Sequence, residues 1–372
     1  MSLALYRKYR PQTFAEVTGQ EPIVATLESE IVNGDVAHAY CFSGPRGVGK
    51  TTMARLLAKA VNCPKRKEKS AEPCNACDTC VAITEGRLLD IVEIDAASHT
   101  GVDHVREVII EQSRIAPFQA QWKVFIIDEV HMLSNSSFNA LLKTLEEPPP
   151  NVMFIMATTS IDKVPVTVLS RCERFGFKTV PGKIMRKRLE HLAKAEDREV
   201  EPAVFEAIVR ASGGSVRDAE SLLGQLLSFS GKKVKREDAD LVIPPSDVGR
   251  AILWADHVFG ARPKEAVELL EEIAYSGGDC ERFADDLIEV GRLLLLEKLG
   301  ARDAVVFEGL AEQHQKTLSD IVGTHPLPAI NRFVDVLLAR KPAIAYSPLP
   351  QIPLEMAVAE LCGEENEGAV RP

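Results

Sequence analysis

The chain has 372 residues, of which 45% are hydrophobic and 26% charged, the range of an ordinary globular protein with room for two or three domains. A net charge of −10 excludes a generally basic nucleic-acid coat, so any DNA contact must rest on a local basic patch or on assembly with partners. Aromatics are only 6% of the residues, which argues against wide base-stacking surfaces.

Residues 1–10 lack the apolar segment of a secretory signal. The longest aliphatic run, Leu293-Leu294-Leu295-Leu296, is far too short to cross a membrane and reads as a buried helix face. A cytoplasmic protein without membrane contact is expected, where clustered cysteines hold metal more often than disulfides.

Residues 1 to 178 alternate short aliphatic strands with helical stretches, which predicts a parallel sheet covered by helices. Phe14-Ala15-Glu16-Val17 reads as an ordered arm ahead of the first long helix. Strands are expected at 39–43, 91–94, 123–127 and 152–157, each a nearly continuous apolar run, as when both faces of a sheet are buried. The first strand runs into Gly44-Pro45-Arg46-Gly47-Val48-Gly49-Lys50-Thr51, and a helix begins at Thr52. This is the phosphate-loop pattern G-x-x-x-x-G-K-[ST] between a strand and a helix. Glycines let the backbone aim its N–H groups at a phosphate, and the helix N-terminus adds its dipole. Lys50 would reach the β- and γ-phosphates, and Thr51 would bind Mg²⁺.

Between the loop and the second strand, Cys63, Cys74, Cys77 and Cys80 follow the spacing C-x10-C-x2-C-x2-C. Paired C-x2-C steps put thiolates on tight turns, as a tetrahedral Zn²⁺ site requires, and four cysteines leave no open position for catalysis. An iron–sulfur cluster is the rival occupant. The Lys/Arg-rich stretch after Cys63 shows no core pattern. Cys41, Cys172, Cys280 and Cys362 are isolated and read as small buried apolar residues.

The third strand ends in Asp128-Glu129. Asp128 would orient Mg²⁺ through water and Glu129 would polarise the attacking water. His131, a lone histidine, reads as structural. The fourth strand ends in Thr158-Thr159, a polar tip that fits a γ-phosphate contact and a simple strand-end turn equally well. Arg171 in Ser170-Arg171-Cys172 and Arg217 after Gly213-Gly214 are candidates for stabilising transition-state charge, with a surface ion pair as the plain alternative for each.

From 179 to 242 the pattern becomes helical, with amphipathic stretches at 185–196, 202–211 and 216–228, the texture of a small lid. Pro244-Pro245-Ser246 reads as a linker. Residues 243–362 are again helical, and the acidic tail 363–372 is expected to fray.

Taken together, these residues resemble the γ/τ subunits of bacterial DNA polymerase III clamp loaders, which are AAA+ ATPases. The resemblance covers nearly the whole chain. It rests most specifically on residues 9–20, the phosphate loop, the four-cysteine insert, Glu93-Ile94-Asp95-Ala96-Ala97-Ser98, and the runs 127–134 and 138–149. It implies an α/β AAA+ domain at 1–178, a helical lid at 179–242 and an all-α collar at 243–362. It assigns Lys50, Thr51 and Thr52 with Gly44, Pro45, Arg46, Gly47, Val48 and Gly49 to ATP, and Thr51 with Asp128 to Mg²⁺. Glu129 becomes the base, Thr159 or Thr158 the first sensor and Arg217 the second. Arg171 matches an arginine finger acting on a neighbour's ATP, and Arg10 and Pro11 belong to an arm near the adenine. The implied partners are further γ/τ copies, the δ and δ′ subunits, the β sliding clamp and primed-template DNA. The longer τ form carries further domains that are absent from this sequence. A non-hydrolysing scaffold resembling the motor is disfavoured by the intact Lys50, Thr51, Asp128 and Glu129. A Holliday-junction helicase is disfavoured by the cysteine insert and the Ser-Arg-Cys tripeptide.

Overall fold

A computed structural model describes residues 4–98, 105–243, 248–301 and 312–363. The described residues fall into two compact units, one within 4–243 and one within 248–363. The expected linker at 244–246 and nearly all of the tail lie outside the described residues.

The first unit is built on a five-stranded parallel sheet in the order β2-β3-β4-β1-β5. The strands are β1 (Ala39–Ser43), β2 (Ile91–Asp95), β3 (Lys123–Asp128), β4 (Val152–Thr158) and β5 (Glu173–Gly176). Alternate residues of β1, β3 and β4 serve two cores. Tyr40, Phe42, Val124, Ile126, Met153 and Ile155 face one; Ala39, Cys41, Phe125, Ile127, Phe154 and Met156 face the other. Because both faces are covered, these strands read as unbroken apolar runs. Three strands continue one residue beyond their expected ends, because the ladder still holds their polar tips: Asp95 pairs with Asp128, and Ser43 with Thr158.

Before the sheet lie α1 (Leu5–Lys8), a 3-10 turn at Phe14–Glu16 and α2 (Glu21–Asn33). After β1, α3 (Lys50–Val61) starts directly from the glycine loop and packs its apolar face on the sheet. The cysteine insert and α4 (Asp78–Thr84) precede β2. On the other side of the sheet, a π-helical segment at Val105–Glu111 and α5 (Asn135–Glu146) cover the second core. Ser134 caps α5 by accepting from the Ser137 N–H. The short α6 (Val166–Leu169) leads to β5.

The lid comprises α7 (Gly182–Ala195), α8 (Pro202–Ala211), α9 (Val216–Phe229) and α10 (Arg236–Val242), with a two-stranded parallel pair, β6 (Glu199–Val200) and β7 (Lys233–Val234). Its core joins Met185, Leu189, Ile208, Leu223 and Leu226 with Leu5 of α1, so α1 is anchored on the lid.

The second unit is all helical: α11 (Val248–Phe259), α12 (Pro263–Tyr275), α13 (Cys280–Lys298), α14 (Glu312–Thr324), α15 (Leu327–Ile344) and α16 (Ile352–Cys362). Phe333 of α15 lies at its centre, stacked on Phe259 at 5.0 Å and tilted against Trp254 at 6.0 Å. Gly291 of α13 lets α15 approach closely: a Cβ there would lie 2.7 Å from a Val334 methyl. Leu293 and Leu294 are buried, so the aliphatic run is a core face. No described helix is long and apolar enough to cross a membrane.

Candidate nucleotide and metal sites

Ligands of open α/β sheets bind beyond the carboxyl ends of the strands. Here a cleft of about 410 Å³ opens at those ends, between sheet, arm and lid. Residues 46–52 of the loop line it, together with Arg10, Pro11, Asp128, Glu129 and Arg217.

The loop needs its glycines for two distinct reasons. Gly44, at φ +139°, passes so close to the chain just after β5 that a Cβ would lie 2.3 Å from the Phe177 carbonyl oxygen. Gly47, at φ +76°, lies under the lid: a Cβ would sit 2.0 Å from Ser215 Oγ, and its carbonyl accepts from the Arg217 N–H at 3.2 Å. The start of α9 is therefore docked on the phosphate loop. Arg217 projects over the Tyr6 ring, 4.9 Å from its centroid. Lys50 is buried, and its Nζ donates to the carbonyls of Gly44 and Pro45 at 2.7 and 2.8 Å. Burial lowers its pKa, against the pull of the acids at 128 and 129.

Thr51 Oγ1 donates to Asp128 Oδ2 at 2.8 Å, so the first helical turn of α3 and the tip of β3 meet in one hydrogen bond. Burial raises the Asp128 pKa; the Thr51 hydroxyl and the Glu129 N–H pull it back. Glu129 sits at φ +48°, a left-handed conformation unusual for a residue with a Cβ. Such strain persists where surroundings over-determine it. Here the surroundings are visible: Glu129 Oε2 accepts from the Thr159 N–H at 3.1 Å and the Thr159 hydroxyl at 2.9 Å, and lies 3.3 Å from His131 Nδ1. Thr158 is turned inward and shares its hydroxyl with His131 at 3.0 Å. Of the two threonines, Thr159 is the one that holds Glu129, and His131 stands between both.

Arg171 is not among the residues lining this cleft. It stands two residues before β5, and its guanidinium pairs with Glu146 at the end of α5. Glu173 pairs with Tyr40 and Gly176 with Ser43, so Arg171 lies beside the amino end of β5. β5 is four residues long, so at about 3.3 Å per residue roughly 10 Å separate its first residue from the strand tips.

The cleft also contains a pair that sequence reasoning missed. Arg188 of α7 donates to Glu220 of α9 at 2.9 Å and to the Tyr9 carbonyl at 2.6 Å, and both side chains are largely buried. Burial raises the Glu220 pKa, and Arg188 opposes it. Arg188 follows Arg186 and Lys187 on a helix that reads as a solvated face; only the packing of α7 on α9 reveals it.

The four cysteines converge: the sulfurs of Cys63, Cys74, Cys77 and Cys80 all lie within 4.8 Å of one another, with Cys74 and Cys80 at 3.9 Å. A tetrahedral Zn²⁺ with bonds of about 2.3 Å separates its sulfurs by about 3.8 Å, so the donors suit one such ion. A four-iron cluster, whose own sulfides spread its ligands, needs a wider cage. Three backbone N–H groups already point at sulfur: Cys74 to Cys63 and Cys77 to Cys74 at 3.3 Å, Cys80 to Cys77 at 3.4 Å. Backbone donors, led by the Ala76 N–H, bring Cys74 down to about 6, whereas burial raises Cys63 and Cys80.

Comparison with known proteins adds the family. Residues 19–181 match the model described as DNA polymerase III, delta subunit. Residues 184–232 match the ATPase lid domain of DNA polymerase III clamp loader subunits, and 245–370 match domain III of subunits gamma and tau. DNA polymerase III subunit tau of Bacillus subtilis is 40% identical over 371 residues, 98% of this chain and 64% of that one. The chain belongs to the DNA polymerase III gamma/tau family. The gamma/tau relatives include the tau subunit of Escherichia coli, 38% identical over 95% of this chain and 54% of its own length. The gamma subunit of Buchnera aphidicola is 34% identical, over 95% of this chain and 97% of its own. The chain spans less than two thirds of the two tau relatives. As a gamma/tau member it has the AAA+ fold, a lid and a helical C-terminal domain.

Proposed function

We propose that this chain is an ATP-hydrolysing motor subunit of a clamp loader in the bacterial cytoplasm. In this reading the loop 44–52 and Lys50 take the phosphates of ATP, and Thr51 and Asp128 hold Mg²⁺, which would supply charge stabilisation to the transferring phosphoryl group. Glu129 orients and deprotonates the attacking water, with Thr159 fixing its carboxylate. Arg10 and Pro11 flank the base, and Arg217 approaches the phosphates from the lid. Zn²⁺ on the four cysteines is structural.

The observation that carries the reading is the carboxylate of Glu129, held by Thr159 beside the Thr51–Asp128 pair at the mouth of the loop. A scaffold that only binds partners has no use for an aimed second acid. The position of Arg171 at the far end of the sheet supports a further step: its guanidinium completes the site of an adjacent subunit rather than its own. Partners are then further gamma/tau copies, δ and δ′, with ATP binding opening the β sliding clamp and primed-template DNA triggering hydrolysis and release.

The test is ATP turnover by the purified chain, alone and with δ, δ′, clamp and primed-template DNA. Large stimulation only in the full mixture, abolished by Lys50→Ala, is the expected result. Turnover indifferent to those partners overturns the loader reading, and none under any condition overturns the motor.

A further inference from the structure

The cysteine module does more than close on itself. Two residues lying between its cysteines reach the N-terminal arm, whose Arg10, Pro11, Val17 and Thr18 line the nucleotide cleft. Glu72 accepts from the Phe14 and Ala15 N–H groups, both at 2.9 Å, and so caps the 3-10 turn of the arm with one carboxylate. Asn75, held at φ +55° in the turn between Cys74 and Cys77, donates Nδ2 to the Gln12 carbonyl at 3.0 Å.

A third residue ties these to the phosphate-loop helix. Lys59 lies near the end of α3 and is only 3% exposed. Its Nζ donates to Gln12 Oε1 at 2.6 Å and to Asn75 Oδ1 at 3.0 Å. Gln12 in turn donates Nε2 to the Arg10 carbonyl at 3.0 Å, one residue before Pro11. A buried ammonium is costly unless opposite charge faces it. Four thiolates around one divalent ion carry a net charge of about −2, and Lys59 is placed to meet it.

We propose that Gln12, Lys59, Glu72 and Asn75 make the cysteine module a brace for the arm at the cleft, so that metal occupancy of the four cysteines raises affinity for nucleotide. None of the four is asked to touch the nucleotide. The proposal rests on the reading of the cleft as an ATP site. Coupling of this kind is reciprocal: nucleotide binding must tighten metal retention by the same factor.

The test uses the whole chain. Affinity for a fluorescent ATP analogue, release of zinc to a chromophoric chelator, and amide exchange at residues 9–17 are measured on the zinc-loaded and zinc-stripped protein. The same is done for Glu72→Gln and Asn75→Ala, with Lys50→Ala as the binding control. Losing one or two such hydrogen bonds shifts a binding equilibrium by about two- to tenfold. Weakening of nucleotide affinity in that range is expected on stripping and in both variants. It should come with normal zinc content in the variants, faster exchange at 14 and 15 in stripped protein and Glu72→Gln, and a smaller loss on stripping Glu72→Gln than on stripping the wild type. Unchanged exchange at 9–17 after stripping overturns the brace. Faster exchange with unmoved affinity overturns the coupling alone. A wild-type chain that binds no better than Lys50→Ala overturns the ATP reading of the cleft, and the coupling with it.

Discussion

At the carboxyl ends of its strands the sheet presents Ser43, Asp128 and Thr158; towards the amino ends of β1 and β5 it presents Tyr40 and Glu173, with Glu30 of α2 beside them. Both ends hold a half-buried carboxyl group, and loss of water raises both pKa values: Asp128 at one end, Glu30 to about 7 at the other. They differ in company. Asp128 is met by the Thr51 hydroxyl and the Glu129 N–H, and the Lys50 ammonium works against the Glu129 carboxylate beside it. Glu30 is met by the Tyr40 hydroxyl at 2.7 Å and by a second carboxyl group, Glu173. At the first acid donors and a cation oppose burial, whereas at the second burial and a hydrogen-bonded carboxyl group leave a proton held near neutrality. The same fold thus sets one acid among hydrogen-bond donors at the carboxyl ends of its strands and another against a second acid towards the amino ends.

Arg171 belongs to the second end, and this gives the largest expected effect. Arg171→Ala should lower turnover of the assembled ring by about 10³-fold or more, the range of a finger supplied in trans, with nucleotide binding by the isolated chain unchanged. An equal loss in the basal turnover of the isolated chain would move Arg171 into its own cleft and break the comparison. Glu129→Gln comes next. Removing a positioned base should cost about 10²- to 10⁴-fold in turnover while the analogue still binds. Measured by steady-state kinetics, an undiminished rate would remove Glu129 from the chemistry.

Gly47→Ala sharpens the first end further. A side chain at positive φ costs about 1–2 kcal/mol, and here it also meets Ser215 Oγ. Nucleotide affinity should fall roughly tenfold or more as α9 is pushed off the loop. An analogue titration that matches wild type would mean the lid is free to lift without consequence.

The comparison also separates what the sequence reveals from what it hides. β1, β3 and β4 are legible because both faces are apolar, and the glycine loop because its spacing is fixed by backbone geometry. β5 is not: in Glu173-Arg174-Phe175-Gly176 only Phe175 is buried, and an edge strand with one inward residue has no periodic signal. β6 and β7, at two residues each, are below any pattern. Lys59 reads as a helix-surface lysine until the arm and the cysteine turn close over it. His131, a lone histidine in sequence, reads as structural; the left-handed turn at Glu129 brings its ring to the acid. Residues that act where their own strand ends are visible in sequence, and those that act across elements are not.

The smallest effect tests the amino end. With Glu30 raised from its ordinary 4.5 to about 7, the folded state binds more protons than the unfolded chain between those values. Its contribution to stability is therefore fully present below about pH 4.5 and is lost as pH rises through about 7. Glu30→Gln keeps an oxygen to accept from Tyr40 but cannot titrate. Urea midpoints at about pH 5 and about pH 8 should differ less in Glu30→Gln than in wild type, with the wild type relatively favoured at the lower pH. Tyr40→Phe acts in the opposite sense, because the hydroxyl favours the ionised acid; without it Glu30 holds its proton to still higher pH and the slope extends. If the wild type instead gains stability relative to Glu30→Gln as pH rises, Glu30 is ionised in the folded state, and the two ends of the sheet do not differ in the way their partners imply.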